Sequence, residues 1–282
     1  MQAPHADADT SVKASTRLEE WLRARGRVAI GFSGGVDSAY LAVEAVRTLG
    51  PINVLAIIGR SASYPADQWA AARSVAEAFG VPVLELDTQE LDDPRYAANP
   101  SNRCYFCKAE LWSKLVPEAH GRGFHTVIDG TNADDLIDYR PGAQAAREQS
   151  IESPLALLGF SKAEIRERSR ALGIPTWAQP SSPCLSSRLP YGIAVTPERL
   201  GMVERAERAL RELGIGGDLR VRHHADLARV ELAPGLLAEW LTADGMRSIA
   251  RAVRGAGFAR VTLDLRGFRS GSLNVLHGVS AA

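Results

Sequence analysis

The stretch Val28-Ala-Ile-Gly-Phe-Ser-Gly-Gly-Val-Asp-Ser38 decides the fold, because a short apolar run passes through two glycines into a helical pattern. The run Val28–Phe32 predicts a buried strand, and the apolar spacing from Val36 to Leu49 predicts a helix. A strand that leads through a Gly-rich turn into a helix N-terminus brings several backbone amides to one point. Such a point binds phosphate.

The residues of this turn suit a phosphate group individually as well. Gly34 and Gly35 let the backbone approach phosphate oxygens, while Ser33 and Ser38 add hydroxyl donors. Asp37 is suited to hold a magnesium ion that bridges phosphates. The turn lacks the lysine of the Walker loop and the G-x-G-x-x-G spacing, which disfavours both of those nucleotide folds. An ordinary Gly-rich turn is the alternative.

Strand and helix patterns alternate on either side of this turn. Further strands are predicted at Asn53–Ile58, Val81–Leu86 and Thr126–Ile128, and further helices at Tyr64–Phe79 and Tyr105–His120. The alternation predicts an α/β fold, in which a doubly wound, Rossmann-like parallel sheet carries helices on its faces.

Three regions of the chain are expected. Residues 1–16 show no apolar periodicity and are expected to form a disordered tail. Residues 17–192 are expected to form the α/β domain, and residues 193–282 a smaller C-terminal α+β domain for substrate binding and oligomerisation. The smaller domain is predicted to hold strands at Leu219–His223, Ala228–Leu232 and Arg260–Leu265 and a helix at Leu236–Val253.

Composition excludes several classes of protein. The 282 residues carry 33 basic and 33 acidic side chains, so no net charge draws the chain to nucleic acid or to an anionic membrane. No apolar run reaches the ~18 residues that span a bilayer, and the first residues lack the pattern of a signal peptide. We therefore expect a cytoplasmic protein that binds neither nucleic acid nor membrane.

Three cysteines offer a soft metal site. Cys104 and Cys107 form a C-x-x-C pair, and Cys184 follows in a Pro- and Ser-rich junction. A closed zinc site needs a fourth ligand, which His120 or His125 could supply. A three-cysteine iron–sulfur cluster needs none, because its fourth iron can stay open. Inert buried cysteines are the third alternative.

The string S-G-G-x-D-S resembles the PP-loop of the N-type ATP pyrophosphatases. Members of that superfamily use ATP to adenylate a carboxylate or carbonyl oxygen and release pyrophosphate. Two further segments match them, Gly59 to Pro65 and Asp129 to Asp135, each after a predicted strand. The resemblance implies contacts to ATP from Ser33, Gly34, Gly35, Asp37, Ser38, Ile58, Ser63, Gly130 and Thr131.

A more specific resemblance covers about Leu18 to about Asn274. The strings that carry it are RCYFCK, GTNADD, PLALLGFSKAEIR, LGIPTW, SSPCLSSRLPYG, LRVRHH, LARVEL and RSGSLN, in this order. They resemble the LarE family of pyridinium-3,5-biscarboxylic acid mononucleotide sulfurtransferases. The resemblance implies that a pyridinium carboxylate becomes a thiocarboxylate through an adenylate, during synthesis of the nickel-pincer nucleotide cofactor of lactate racemase. It also implies a homo-oligomer, such as a hexamer, built through the second domain.

The resemblance leaves two sources of sulfur. In one branch of the family, a single cysteine at the position of Cys184 gives up its own sulfur. In the other, cysteines at the positions of Cys104, Cys107 and Cys184 hold a [4Fe-4S] cluster that carries a transferable sulfide. All three are present here, which favours the cluster. A sulfide source that the sequence does not identify must then replenish it.

A mononucleotide with extra carboxylates is a polyanion, so arginines are expected at its site. Arg220 and Arg222 alternate along a predicted strand and so share a face, and the resemblance places substrate-phosphate arginines there. Arg188 fits as a third. Glu231 matches a family carboxylate linked to metal or substrate. A solvated strand face is the alternative for these charges.

Other functions fit parts of the pattern. A tRNA thiolase of the same superfamily also uses cysteines, but the neutral charge and the lack of a basic, aromatic RNA-binding module argue against it. An amidotransferase-type synthetase, such as a GMP or NAD synthetase, would leave the cysteines idle. A nucleotide or redox sensor without turnover would not need Ser33, Asp37 and Ser38. Adjacent His223 and His224 face opposite sides of a strand and are assigned no role.

Overall fold

The structure is a computed structural model that describes residues 6–136, 141–180 and 183–269, with side chains from residue 16 onward. Its strands form two sheets. The larger sheet has the order β3-β2-β1-β4 and is parallel throughout; its strands are β1 (Val28–Gly31), β2 (Val54–Arg60), β3 (Val83–Asp87) and β4 (Thr126–Ile128). The smaller sheet has the order β5-β6-β7, with strands β5 (Leu219–His224), β6 (Leu227–Leu232) and β7 (Arg260–Leu263).

Eleven α-helices connect these strands in the described part of the chain. They are α1 (Ala6–Arg25), α2 (Val36–Leu49), α3 (Ala66–Ala78), α4 (Pro94–Ala97), α5 (Arg103–Gly121), α6 (Pro141–Glu148), α7 (Pro154–Leu157), α8 (Lys162–Ala171), α9 (Pro197–Glu212), α10 (Leu237–Trp240) and α11 (Ala243–Gly255). Short 3-10 turns lie at Pro51–Asn53, Glu90–Asp92, Asp134–Leu136, Pro175–Ala178, Leu185–Arg188 and Pro234–Leu236. None of the described helices is long and apolar enough to span a bilayer.

Alternate residues of the central strand β1 bury their side chains on opposite faces of the larger sheet. Val28 and Ile30 pack into a core with α1, α2 and α8. Ala29 packs into a second core with Trp112 of α5 and residues of α6. Because both faces are covered by helices, the prediction of a doubly wound α/β fold is confirmed.

The smaller sheet packs against α9 and α11. Val221 of β5 and Val230 of β6 are fully buried beside Leu210 of α9 and Val253 of α11. β6 is antiparallel to β5 and parallel to β7, so the sheet is mixed. The prediction of a smaller α+β unit at the C-terminal end is confirmed. Tyr96 and Leu189 also belong to this core, and the exact boundary at residue 192 stays a prediction.

Two predicted elements differ from the structure. The single helix expected at Leu236–Val253 is wrong, because the chain breaks into α10 and α11. Thr242 caps the second helix by accepting a hydrogen bond from the Gly245 amide, and a Thr that caps a new helix cannot continue the previous one.

The tail expected over residues 1–16 also differs, because α1 begins at Ala6. This helix buries Leu18 and Leu22 in the core. It continues toward the N-terminus through an Ala-rich stretch without Gly or Pro, which favours helix.

Candidate active site

The phosphate loop joins β1 to α2. Gly35 precedes the helix in an extended conformation, and no described side chain caps the helix N-terminus. Ser38 Oγ accepts a hydrogen bond from the Ser33 amide at 3.3 Å and donates one to the Gly35 carbonyl at 3.1 Å. These hydrogen bonds within the loop hold its shape. The first backbone N–H groups of α2 have no side-chain cap and are available to bind an anion.

Gly34 is required for two reasons. Its φ of +69° lies in the left-handed region, which favours glycine. A Cβ at this position would also lie 2.5 Å from the Ala72 Cβ of α3. The close approach of α3 therefore fixes the shape of the loop.

The segment after β4 packs directly on the phosphate loop. A Cβ on Gly130 would lie 2.8 Å from the Ser38 amide nitrogen. The Thr131 hydroxyl donates to Asp129 at 2.9 Å, and the Thr131 amide donates to the same carboxylate at 3.1 Å. The structure thus places Gly130 and Thr131 beside Ser33–Ser38, at the carboxyl ends of parallel strands, where ligands of such sheets bind.

The segment after β2 lies at the same edge of the sheet. Ser63 is buried and donates to Glu90 Oε1 at 2.7 Å. Ile58 is fully buried in the core of the sheet, so only its backbone remains to contact a nucleotide. The contacts of these residues with ATP stay predictions.

Asp37 has two hydrogen-bond partners that lie far from it along the chain. Lys162 Nζ donates to Asp37 Oδ2, and Asn132 Nδ2 donates to Asp37 Oδ1 at 3.3 Å. Lys162 is the first residue of α8, which Ser161 caps by accepting from the Glu164 amide. Only the packing of α8 against α2 brings Lys162 beside the loop. Lys162 supplies the cation that the loop itself lacks.

The three cysteines lie in one region of the molecule, where the charges of Cys184 and Cys104 both act on Cys107. Cys104 and Cys107 occupy the first turns of α5, and Cys184 directly precedes the 3-10 turn Leu185–Arg188. Cys104 is exposed, and the other two thiols are partly buried. Burial raises the pKa of Cys107, and the nearby charges of Glu90 and Cys184 raise it further.

Tyr96 and Ser186 lie in the same region as the cysteines. Their hydroxyl oxygens lie 2.6 Å apart in a shared hydrogen bond. Burial raises the pKa of the Tyr96 phenol, with further contributions from Cys184 and Cys107. The phenol therefore stays protonated at neutral pH and can donate a hydrogen bond.

Three thiols are a donor set that suits an iron–sulfur cluster with one open iron, whereas a closed zinc site needs a fourth ligand. His120 and His125 stack at 5.5 Å, but His120 follows Cys107 by 13 positions along α5, which separates them by about 20 Å. Neither histidine can complete a zinc site with the thiols, so that alternative is wrong. No three His, Cys, Asp or Glu side chains in the described ranges are arranged to bind a metal ion in this structure. The cluster therefore stays a prediction.

Arg220 and Arg222 are buried, with 4% and 6% of their surface exposed. Arg222 pairs with Glu231 at 2.9 Å and donates to the Ser187 carbonyl at 3.0 Å. Burial, and after it the charge of Arg188, lowers the pKa of Arg220 to about 10. Glu231 is 1% exposed and also pairs with Arg229. The alternative of a solvated strand face is therefore wrong.

Arg188 is fully buried and its donors meet acceptors within the protein. Its Nε and Nη2 donate to Glu207 of α9 at 2.9 and 3.0 Å. Its Nη1 donates to the carbonyls of Pro183 and Cys184. These contacts hold the Cys184 segment against α9. Substrate binding by Arg188 stays a prediction. The string RSGSLN begins at Arg269, and its other five residues lie outside the described residues.

Comparisons with known proteins agree with this arrangement. A profile of the NAD synthase family matches residues 15–103. The chain is 44% identical to an uncharacterized protein of Synechocystis sp., over 91% of this chain and 95% of that protein. It is 36% identical to the pyridinium-3,5-bisthiocarboxylic acid mononucleotide synthase of Lactiplantibacillus plantarum, over 88% of this chain and 89% of the synthase.

A more distant relative is the NH3-dependent NAD+ synthetase of Rhizobium meliloti, 28% identical over 58% of this chain and 49% of its own length. The similarity to the synthase covers 88% of this chain, whereas the similarity to the NAD+ synthetase covers 58%. We conclude that the chain is an enzyme of the PP-loop ATP pyrophosphatase superfamily and belongs to the LarE family, which includes the pyridinium-3,5-bisthiocarboxylic acid mononucleotide synthase of L. plantarum.

Proposed function

We propose that this protein uses ATP to transfer sulfur to a carboxylate of pyridinium-3,5-biscarboxylic acid mononucleotide, as a step in the synthesis of the nickel-pincer nucleotide. One observation carries the proposal: the Leu185 amide, directly after Cys184, donates to the Ser63 carbonyl at 2.8 Å. This hydrogen bond connects the segment of Cys184 to the turn after β2, which faces the nucleotide in this proposal. A carboxylate activated at the phosphate loop is therefore formed close to the sulfur site.

The first step is adenylation. A substrate carboxylate oxygen attacks the α-phosphorus of ATP, the bond between the α-phosphorus and the bridging oxygen breaks, and pyrophosphate leaves. The amides of the loop from Ser33 to Ser38 bind the leaving group. Asp37 would hold Mg2+, an ion that prefers oxygen ligands, and Lys162 balances negative charge at the phosphates.

The second step is displacement. A sulfur nucleophile attacks the acyl carbon of the adenylate, the acyl C–O bond breaks, and AMP leaves with the thiocarboxylate as product. The thiols of Cys104, Cys107 and Cys184 would hold a [4Fe-4S] cluster, which supplies a transferable sulfide when bound. The sulfur of Cys184 itself is the alternative donor.

Arg220 and Arg222 bind the phosphate of the mononucleotide in this proposal. Two buried guanidinium groups on one strand, of which Arg222 contacts Ser187, are suited to hold a phosphate in a confined place. Glu231 holds Arg222 in orientation. We further propose that the protein acts as a homo-oligomer formed through the second domain.

The decisive experiment measures pyrophosphate and AMP after anaerobically prepared protein is mixed with ATP, Mg2+ and the pyridinium mononucleotide. Release of both, together with a thiocarboxylate found by mass spectrometry, is expected. Absence of pyrophosphate release in the presence of this substrate contradicts the proposed reaction.

The variant Cys104→Ala separates the two steps. We expect it to release pyrophosphate at about the native rate, because Cys104 lies outside the phosphate loop, but to lose repeated sulfur transfer. Ser113→Ala, an exposed change on α5, is the control. If Cys104→Ala still completes many transfers per chain, the three-thiol donor is wrong. A single transfer, with conversion of Cys184 to dehydroalanine in its peptide, identifies Cys184 as the donor.

A further inference from the structure

The phosphate loop is held from outside by two side chains near the start of α3. Tyr64 Oη and Gln68 Nε2 both donate to the Ser33 carbonyl, each at 2.9 Å. Tyr64 precedes the helix, and Gln68 lies in its first turn. Burial raises the pKa of the Tyr64 phenol, and the charge of Glu85 raises it further, so the hydroxyl keeps the proton that it donates. One carbonyl of the loop therefore accepts two hydrogen bonds from one helical segment.

The direction of this carbonyl decides where the next amide points. The Ser33 C=O and the Gly34 N–H belong to one planar trans peptide unit, in which the two groups point in opposite directions. Gly34 has a φ of +69°, and since glycine tolerates both signs of φ, the peptide unit before it can rotate at low cost. Hydrogen bonds from Tyr64 and Gln68 select one orientation. The Gly34 N–H thus points away from these two side chains.

The start of α3 is in turn fixed by α9, which packs against the smaller sheet. Ala66, the first residue of α3, donates its amide to Glu204 Oε1 at 2.7 Å. Pro65 stands at the N-cap position and has no side-chain acceptor to offer. A carboxylate is stabilising at this end of a helix, because unpaired N–H groups and the positive end of the helix dipole lie there. Glu204 therefore orients the segment that carries Tyr64 and Gln68.

We propose that Tyr64 and Gln68 are positioning residues of the phosphate loop, which direct the Gly34 amide at the pyrophosphate of ATP. Glu204 makes this direction depend on the second domain, because it holds the helical segment that carries both side chains. The inference rests on the proposed function, which makes pyrophosphate the leaving group. It names the contact through which the second domain acts on adenylation.

The test measures the binding of inorganic pyrophosphate, with Mg2+, to the full-length protein by isothermal titration calorimetry. The double variant Tyr64→Phe with Gln68→Leu removes both donors and keeps the approximate size of both side chains. We expect its Kd for pyrophosphate to rise roughly 10-fold, the scale expected for the loss of two hydrogen bonds. An unchanged Kd in the folded double variant overturns the proposal.

A matched double variant separates positioning from a general loss of stability. Tyr105 and Gln144 also donate to one acceptor group, the Glu148 carboxylate, at 2.7 and 2.8 Å. Tyr105→Phe with Gln144→Leu removes these two hydrogen bonds outside the phosphate loop, so the Kd should stay unchanged. Urea unfolding compares the stability of the two double variants. An equal rise of the Kd in both would assign the effect to stability and overturn the proposal.

Tyr64→Phe alone replaces the double variant if that protein does not fold. This change removes a single oxygen, and we expect the Kd for pyrophosphate to rise roughly 3-fold. A native Kd in folded Tyr64→Phe would then overturn the proposal.

Variants of Glu204 test the dependence on the second domain. Glu204→Ala removes the acceptor of the Ala66 amide, and we expect it to raise the Kd for pyrophosphate roughly 3-fold, the scale of a charge at a helix terminus. Glu204→Gln keeps a side-chain oxygen and should recover part of the affinity. Glu212→Ala, exposed at the end of α9, is the control. A native Kd in Glu204→Ala would overturn the proposed dependence on α9.

Kinetics distinguish the loop from the other substrate. In pyrophosphate release, Tyr64→Phe with Gln68→Leu should raise the KM for ATP and leave the KM for the pyridinium mononucleotide unchanged. A raised KM for the mononucleotide alone would assign the two side chains to that substrate and overturn the proposal. If wild-type protein binds pyrophosphate but releases none from ATP and the mononucleotide, the proposed function fails, while the titration still tests the positioning of the loop.

Discussion

Asp37 is the residue of the phosphate loop whose carboxylate makes contacts with two distant parts of the chain. Its carboxylate faces both Lys162 and Asn132, whose positions in the chain are 125 and 95 residues away. Mg2+ bound with ATP would compete with Lys162 for this carboxylate, and the freed ammonium group could then reach phosphate oxygens. The pair is suited to switch between a resting contact and a nucleotide-bound arrangement.

The variant Asp37→Asn tests this role. We expect pyrophosphate release to fall at least roughly 100-fold, the scale on which loss of a preorganised electrostatic group slows a reaction. Asp67→Asn, an exposed change in the first turn of α3, is the control. Release at the native rate by Asp37→Asn would remove Asp37 from the magnesium role.

The contribution of Glu44 to folding stability is expected to depend on pH. Burial raises its pKa above the ordinary value of 4.5, and Arg47 only partly offsets this. The folded state therefore favours the protonated acid, so this contribution to stability is present below pH 4.5 and is lost as the pH rises through the folded pKa.

We expect Glu44→Gln to raise the free energy of unfolding at pH 8 more than at pH 4.5. Urea unfolding at both pH values measures this, with the exposed Glu77→Gln on α3 as a control. A larger gain at pH 4.5 than at pH 8 would contradict the burial argument.

At the scale of elements, the site depends on how closely the turns after β1 and β4 approach each other. Gly130 lies against backbone atoms of Ser38 and Asp37 in the first turn of α2. A backbone contact of this kind cannot relax by a change of rotamer. The packing of these two turns therefore sets the direction of the helix N-terminus at the phosphate.

Gly130→Ala should disturb this packing. The new Cβ would lie 2.8 Å from the Ser38 nitrogen and 3.1 Å from the Asp37 carbonyl carbon. We expect a loss of stability of about 1–3 kcal/mol, typical of overpacking, and a raised KM for ATP in pyrophosphate release. Gly121→Ala, where a Cβ meets nothing within 4 Å, is the matched control. Equal behaviour of the two variants would show that the turns can separate freely.

At the scale of the whole molecule, the segment after Cys184 connects the two sheets. The Leu185 amide bonds to Ser63 beside the larger sheet, and the Ser187 carbonyl accepts from Arg222 in the smaller one. Arg188 and Glu207 secure the same segment to α9, and Glu207 also accepts from the Val221 amide of β5. The third cysteine is thereby fixed relative to both units.

The variant Glu207→Ala leaves Arg188 buried without its carboxylate. We expect it to cost about 3–5 kcal/mol in the free energy of unfolding measured with urea. The double variant Arg188→Met with Glu207→Leu should cost less than Glu207→Ala alone, since no unpaired charge remains. Glu212→Ala, exposed at the end of α9, is the control. A double variant less stable than Glu207→Ala would contradict this account.

The amino-acid order was enough to predict the strand–turn–helix around Ser33 to Ser38, the alternating pattern of the larger sheet and the C-x-x-C pair, because these depend on residues that are neighbours along the chain. It missed the break before Thr242, where a capping residue interrupts an apolar pattern. Folding alone brings Lys162 to Asp37, Glu231 to Arg222, and Glu207 to Arg188. Those pairings depend on strand register and on which helices pack together, and sequence spacing does not encode either.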